Sequence, residues 1–148
     1  MGRYLRLQGD LKAIAEECAA GAAMYFDEEA YALGDMVIKD EEAVKYVEHV
    51  VLKGLDTIPL PEGSKGAYEL HILDDSGTGR TWSGGKEEVS FPYTLPYRFT
   101  DREGNVSEVR EPSAVVFISV ETPDLFRLPF IEVKGVTRSA RYELYGNT

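Results

Sequence analysis

The sequence predicts a single α+β domain in which a long N-terminal helix and a second helix pack on an antiparallel β-sheet of about six strands. Apolar residues recur with the helical period over residues 1–58 and alternate as in strands over 59–148, and no helical pattern separates the strands. The chain has 148 residues, 43% of them apolar and 28% charged, which is the composition of one globular domain. We therefore expect a helical part (1–58) followed by a β part (59–148).

The first predicted helix carries one apolar stripe. Its members are spaced at steps of one, three or four residues and form the predicted packing or assembly surface: Leu7, Leu11, Ile14, Ala15, Cys18, Ala22 and Tyr25. Alanines at positions 13, 19, 20 and 23 flank the stripe, and their small side chains let another surface approach closely. We expect the helix to fade between Asp27 and Gly34.

The second predicted helix begins near Glu41. Asp40 supplies an N-cap, and the acidic residues after it face the positive end of the helix. An apolar stripe of Val44, Val47, Val51 and Leu55 follows, and we expect the helix to end near Lys53. Residues 59–64 have the composition of a connector, after which the apolar period changes from 3.6 to 2.

The β part contains two predicted hairpins and a buried strand. Alternation from Ala67 leads into the polar turn 74–79, and residues 97–99 pair with 106–109 through a glycine-containing loop. The nearly continuous apolar run 114–120 predicts the most buried, central strand. Two closing strands, 130–133 and 136–144, are expected to meet at a turn or bulge at Gly135.

Charge and cysteine content exclude several classes of function. The chain has 16 basic and 26 acidic residues, and a net charge of −10 repels nucleic acid and anionic membrane surfaces. No apolar run reaches the roughly 18 residues of a membrane-spanning helix. Cys18 is the only cysteine, so one chain can form neither a disulfide nor a thiolate zinc site.

No motif in the sequence names a reaction, and we predict no catalytic residue, cofactor or metal ion. His49 and His71 share no ligand spacing and are interpreted as solvated or structural. The turn Asp74–Gly79 offers oxygens to calcium but lacks the EF-hand pattern, so ion binding there stays open. No serine lies in a G-x-S-x-G motif. Cys18, on the apolar stripe, is interpreted as a buried core residue.

Aromatic residues concentrate in the middle of the chain, within the Trp82–Phe99 region. Trp82, Tyr93, Tyr97 and Phe99 have two interpretations. They cap the open end of the sheet, or they anchor a partner on an edge strand or loop. If the protein has a recognition surface in the β part, we expect it here.

The sequence also resembles a known protein class. The alanine-rich helix 11–23, the link 31–43, the strand 115–120, the connection 123–125 and the last strand 137–143 are similar to segments of TadE-like and TadG-like pilus pseudopilins and related pilin-like proteins of Gram-positive bacteria. In those proteins, the alanine-rich helix continues from a transmembrane anchor. Since Leu5 and Leu7 already continue the helical stripe, we expect an anchor to precede Met1 in the full-length protein.

The resemblance implies a non-enzymatic structural or assembly module. It would be the extracytoplasmic domain of an anchored protein at the bacterial cell surface, with protein partners drawn from its own copies or from pilus or secretion components. The alternative is a soluble protein-binding module, such as a phage or secretion-system accessory protein, that uses the Trp82–Phe99 region. An enzyme is the third and least supported hypothesis, since no nucleophile, base and orienting group share a motif.

Overall fold

The computed structural model describes residues 2–58, 60, 63–84, 86–100, 104–128 and 131–143, with side chains described throughout except at 2–5, 88, 122–128 and 131–136. Within these residues, three helices precede seven strands, which confirms the α+β class. The helices are α1 (Gly2–Ala22), α2 (Glu28–Ala32) and α3 (Asp40–Asp56). The strands are β1 (Lys65–Leu73), β2 (Thr78–Ser83), β3 (Lys86–Pro92), β4 (Tyr97–Thr100), β5 (Val106–Val109), β6 (Ser113–Leu128) and β7 (Ile131–Glu143).

The strands form a five-stranded sheet in the order β3-β2-β1-β6-β7 and a separate two-stranded ribbon, β4-β5. All pairs are antiparallel. β1 is the middle strand of the five. β6, which the sequence predicted as central, is an interior strand that lies between β1 and β7. Pro92, which cannot donate to a ladder, ends the edge strand β3.

One face of the five-stranded sheet is covered by helices. α1 lies on β6 and β7, and α3 packs beside α1 and over β1. Alternate residues of β1 and β6 enter this core, among them Leu70, Ile72, Val116 and Ile118. The α1–α3 contact is close: a Cβ at Gly54 would lie 2.7 Å from Ile14 Cδ1, and one at Gly21 would lie within the ring of Tyr46.

The opposite face of the sheet is covered by the β4-β5 ribbon. Leu73, Val115 and Phe117 of the sheet meet Phe99 of β4 and Val109 of β5 in a second, smaller apolar cluster. The domain is therefore a sandwich of helices, sheet and ribbon, with the larger core on the helical side. Every described helix lies before residue 57, and every described strand lies after residue 64.

Several element boundaries differ from the sequence prediction. The chain after α1 forms the short helix α2, capped by Asp27, where the sequence predicted only a fading helix. β3 was not expected at all. The two predicted closing strands form one strand, β7, so there is no turn at Gly135. The bulge alternative is confirmed, since the β6–β7 register shifts between the pairs Glu121–Gly135 and Phe126–Val133.

Candidate functional site

The predicted packing stripe of α1 lies in the helical core. Leu7, Leu11, Ile14, Ala15, Cys18 and Ala22 are at most 8% exposed, and the half-buried Tyr25 packs against the same core. Ala15 and Ala22 have no exposed surface, so their small side chains let α1 approach its neighbours closely. These residues therefore contribute to the interior of the domain.

The opposite face of α1 is exposed. It carries Arg6, Gly9, Ala13, Glu16 and Glu17, which recur at helical spacing along one side. With 21 residues, α1 is about 30 Å long at 1.5 Å per residue. The helix thus has one face in the core and presents a mixed small and charged face to solvent.

Cys18 is a structural residue of the α1–α3 contact. Its Sγ lies 3.9 Å from the carbonyl oxygen of Val47 on α3, and the side chain is fully buried. Burial, with a smaller contribution from Glu17, raises the pKa of the thiol to about 12. Because the thiolate is the reactive form, a thiol with this pKa is a poor nucleophile at neutral pH.

A buried guanidinium forms the most connected polar group on the helical side of the sheet. Arg80 of β2 donates from Nη1 and Nη2 to the two carboxylate oxygens of Asp74, each at 2.9 Å, and from Nε and Nη2 to Asp40, at 3.0 and 2.5 Å. Nη1 also donates to Ser76 Oγ and to the carbonyl of Thr78. Arg80 is thus a bidentate partner of two carboxylates from different parts of the chain.

Asp74 joins this cluster to the segment that links α2 to α3. The carboxylate, which is fully buried, accepts from the backbone N–H groups of Ile38 and Ser76 as well as from Arg80. Burial acts to raise its pKa, but the hydrogen bonds from Arg80, Ile38 and Ser76 outweigh that effect and hold the pKa of Asp74 below its usual range. Asp75 accepts from the N–H of Met36, so the turn after β1 fixes the link at two points.

The Arg80 cluster includes oxygens of the turn 74–79, where the sequence left calcium binding open. The oxygens of Asp74 face the guanidinium and two backbone N–H groups, and the hydroxyl of Ser76 both donates to Asp74 and accepts from Arg80. A resident cation therefore occupies the position that the ion would take. Among the described residues, no group of three or more potential metal ligands is assembled. Sequence reasoning missed Arg80, whose only signal was a charged residue two positions before Trp82 on the same strand face.

The two histidines lie far apart in the chain and differ in environment. His49 is exposed on α3. His71 of β1 is flanked by two polar side chains on the ribbon side of the sheet: Nε2 lies 2.8 Å from Glu69 Oε1, and Nδ1 lies 3.2 Å from Thr81 Oγ1. With a proton on Nε2, the ring donates to Glu69 and accepts from Thr81.

The acid–imidazole–hydroxyl order of this array is that of a hydrolytic relay, but its setting favours a structural role. Thr81 is only 9% exposed and lies opposite His71 in the β1–β2 register. Phe99 and Phe117 contact the imidazole edge-on, with ring centroids 5.2 and 5.4 Å away. A substrate would have to reach a hydroxyl inside a packed sheet face, so the array stabilises the sheet.

The four aromatic residues of the predicted partner surface do not come together. Trp82 packs against the helical core, whereas Tyr93, Tyr97 and Phe99 belong to the cluster under the ribbon. Tyr93 and Tyr97 lie 5.7 Å apart between ring centroids, and the hydroxyl of Tyr93 donates to the carbonyl of Asp74. Burial and the nearby Asp74 and Asp75 raise the pKa of Tyr93.

Comparison with known proteins adds no further constraint, since no family model, curated protein or solved structure matches this chain. Within the described part of the chain, no helix has both the length and the apolar content needed to cross a bilayer.

Proposed function

We propose that this domain is a non-enzymatic structural module, the extracytoplasmic part of a membrane-anchored, pilin-like protein that assembles into or primes a surface filament. The observation that carries the proposal is the difference between the two faces of α1. Its alanine-lined face is core, and its other face is exposed from Arg6 to Glu17. The exposed face of such a helix can contact sister subunits without any rearrangement of the domain.

The composition of the exposed face supports a contact role. Gly9 and Ala13 allow a neighbouring helix to approach closely, and Arg6 lies about 15 Å along the axis from Glu16 and Glu17. Opposite charges at the two ends of one face favour a staggered arrangement of identical subunits, because the basic end of one copy meets the acidic end of the next.

The polar clusters support a structural role in place of an enzymatic one. Arg80, Asp74 and Asp40 satisfy one another, and His71 is hydrogen-bonded on both ring nitrogens within a packed face. Each cluster joins two chain segments: Arg80 and Asp74 hold the link before α3 to the β1–β2 turn, and the histidine array ties β1 to β2. Both clusters therefore stiffen the part of the domain against which α1 packs.

Cysteine cross-linking in the host tests the proposal. Cys18 is buried with a raised pKa, so a single cysteine introduced at the surface is the only readily oxidised thiol within these 148 residues. The variants are Ala13→Cys on the exposed face of α1 and, as a matched control, Ser90→Cys on the exposed edge strand β3. Both are made in the gene together with its natural upstream coding sequence.

Oxidation of intact cells is expected to give disulfide-linked dimers in the envelope fraction with Ala13→Cys and only monomers with Ser90→Cys. Monomers with Ala13→Cys, or equal dimer yields from the two variants, would contradict the proposed assembly face. The upstream sequence gives a second check, since an apolar segment of about 20 residues is expected there.

The alternative, a soluble binding module that uses the Trp82–Phe99 region, stays a prediction. The packing of Tyr93 and Tyr97 into the ribbon-side cluster favours their interpretation as a cap on the sheet. Partner binding that is lost in Tyr97→Ala while the thermal stability is unchanged would favour the binding module.

A further inference from the structure

A concave site of about 280 Å³ lies at the outer edge of the sheet, where α1, β7 and the β4-β5 ribbon meet. Its apolar wall consists of Phe99, Val115 and Phe117. The rings of Phe99 and Phe117 are stacked, with centroids 6.2 Å apart and an angle of 27° between their planes. The volume is just below the range of about 300–1,000 Å³ that is usual for sites of drug-sized ligands, so the site suits a smaller molecule.

The polar part of the cavity is cationic. Lys12 of α1 and Arg141 of β7 line it, together with the uncharged Asn105 and Ser107, and no Asp or Glu is among its described lining residues. The chain as a whole has a net charge of −10, whereas the charged residues that line this cavity are both cationic. The two cationic side chains can therefore donate charge-assisted hydrogen bonds to an anion in this cavity.

Both cations keep hydrogen-bonding capacity beyond their described contacts. Lys12 Nζ donates to the carbonyl of Ser139 at 2.5 Å, which employs one of the three N–H groups of the ammonium and holds it at the cavity. Arg141 Nη1 donates to the carbonyl of Glu108 at 3.4 Å, one bond of the five that a guanidinium can form. The carboxylate of Glu108 accepts from Arg110, so it is engaged away from Arg141.

We propose that this cavity, the Lys12–Arg141 site, binds a small carboxylate that carries an adjacent aromatic or branched apolar group. The carboxylate accepts from Lys12 and Arg141, and the apolar group contacts the stacked rings of Phe99 and Phe117. A free aryl or amino-acid carboxylate and the C-terminal residue of a peptide share this chemistry. The site goes beyond the assembly role, because it lies beside β7 and the ribbon and does not use the exposed face of α1.

Nuclear magnetic resonance titration of the wild-type domain with N-acetylphenylalanine tests the site. We expect saturable shifts of the backbone amide signals of Ser107 and Ser139, which line the cavity. N-acetylphenylalanine amide, which lacks the carboxylate, and acetate, which lacks the ring, should each bind roughly tenfold more weakly or not at all. A peptide ending in a free phenylalanine distinguishes the two sources, since tighter binding than that of N-acetylphenylalanine assigns the site to peptide C termini.

The variants Lys12→Gln and Arg141→Gln should each weaken binding roughly tenfold. The matched control is Arg98→Gln, an exposed residue of the same ribbon outside the lining, which should bind as the wild type does. Arg141 is exposed, so its replacement leaves the fold intact and keeps the test valid even if Lys12→Gln lowers stability. Lack of saturable binding by the wild type, equal binding of the amide, or equal loss in Arg98→Gln would overturn the proposal.

Discussion

Replacement of Arg80 by methionine would leave two carboxylates without their cation. The Asp74 side chain has no exposed surface, whereas the Asp40 side chain is 26% exposed and can regain water. Removing one partner of a buried ion pair typically costs about 3–5 kcal/mol, and a solvent-accessible pair is worth about 0–1 kcal/mol. Because Asp74 keeps its hydrogen bonds from Ile38 and Ser76, we expect a loss of about 3–4 kcal/mol in the free energy of unfolding.

The loss is measured by urea unfolding at about pH 7, where a slope of about 2 kcal/mol per molar urea turns it into a midpoint roughly 2 M lower. The matched control is Arg110→Met, which removes an exposed pair with Glu108 and should cost less than about 1 kcal/mol. Equal small losses in the two variants would refute the reasoning, since they would mean that Arg80 is not the compensating charge of a buried carboxylate.

The pH dependence of the same variant has a definite sign. In the wild type, the pKa of Asp74 is lowered, so the stability that its ionised form contributes is present above the unfolded-state pKa of about 3.9 and is lost as the pH falls through the lower folded value. In Arg80→Met, burial without the cation raises this pKa, so folding takes up a proton. The deficit relative to wild type should therefore shrink between about pH 7 and pH 4.5. A constant deficit would contradict this.

Three further outcomes follow from packing. Gly9→Ala, at an open helical position, should raise stability by about 0.5–1 kcal/mol, whereas Gly21→Ala should lower it by about 1–3 kcal/mol because the new Cβ meets the ring of Tyr46; thermal unfolding of the pair checks this, and equal effects would contradict it. Cys18 should react with a thiol reagent only as fast as the domain opens, so labelling faster than unfolding would contradict its burial. Tyr97→Ala should cost about 2 kcal/mol by removing a partly buried ring from the ribbon-side cluster, and unchanged stability would favour a binding role.

The two long helices, α1 and α3, and the hairpins were predictable because their signals are local. The α1 stripe and the acidic first turn of α3 follow from local signals, and β4 pairs with β5 over the residues that the sequence indicated. The predicted N-cap was wrong, since Lys39 is the N-cap residue and Asp40 is the first residue of α3, where its carboxylate accepts from Arg80. β3 was missed because Lys86–Pro92 is a short, polar edge strand beside two glycines, and neither period nor burial distinguishes it from a loop. Gly135 lies beside the register shift of the β6–β7 pair, as one of the two predicted alternatives had it, but pairing with β6 keeps β7 a single strand without a turn.

The polar clusters were not predictable because they depend on distant residues. Arg80 meets Asp40 across 40 positions of the chain, and nothing in either local sequence marks the pairing. The same holds for the Lys12–Arg141 site, to which α1, the ribbon, β6 and β7 each contribute residues. The four aromatic residues illustrate the converse, because proximity in sequence predicted one surface that the fold divides. Trp82 of β2 packs against the helical core, whereas Tyr97 lies in the separate β4-β5 ribbon on the opposite side of the sheet.

The two faces of α1 are tested most directly by a glutamate at each of two alanines that are two residues apart. Ala15→Glu buries a charge at a position with no exposed surface, and Ala13→Glu adds the same charge to the same helix on its exposed side. We measure the thermal midpoint of each purified domain and the yield of sheared surface filaments from the host. The account predicts that Ala15→Glu is unfolded, while Ala13→Glu keeps the wild-type midpoint and yields no filaments. A folded Ala15→Glu domain, or normal filament yield from Ala13→Glu, would contradict it.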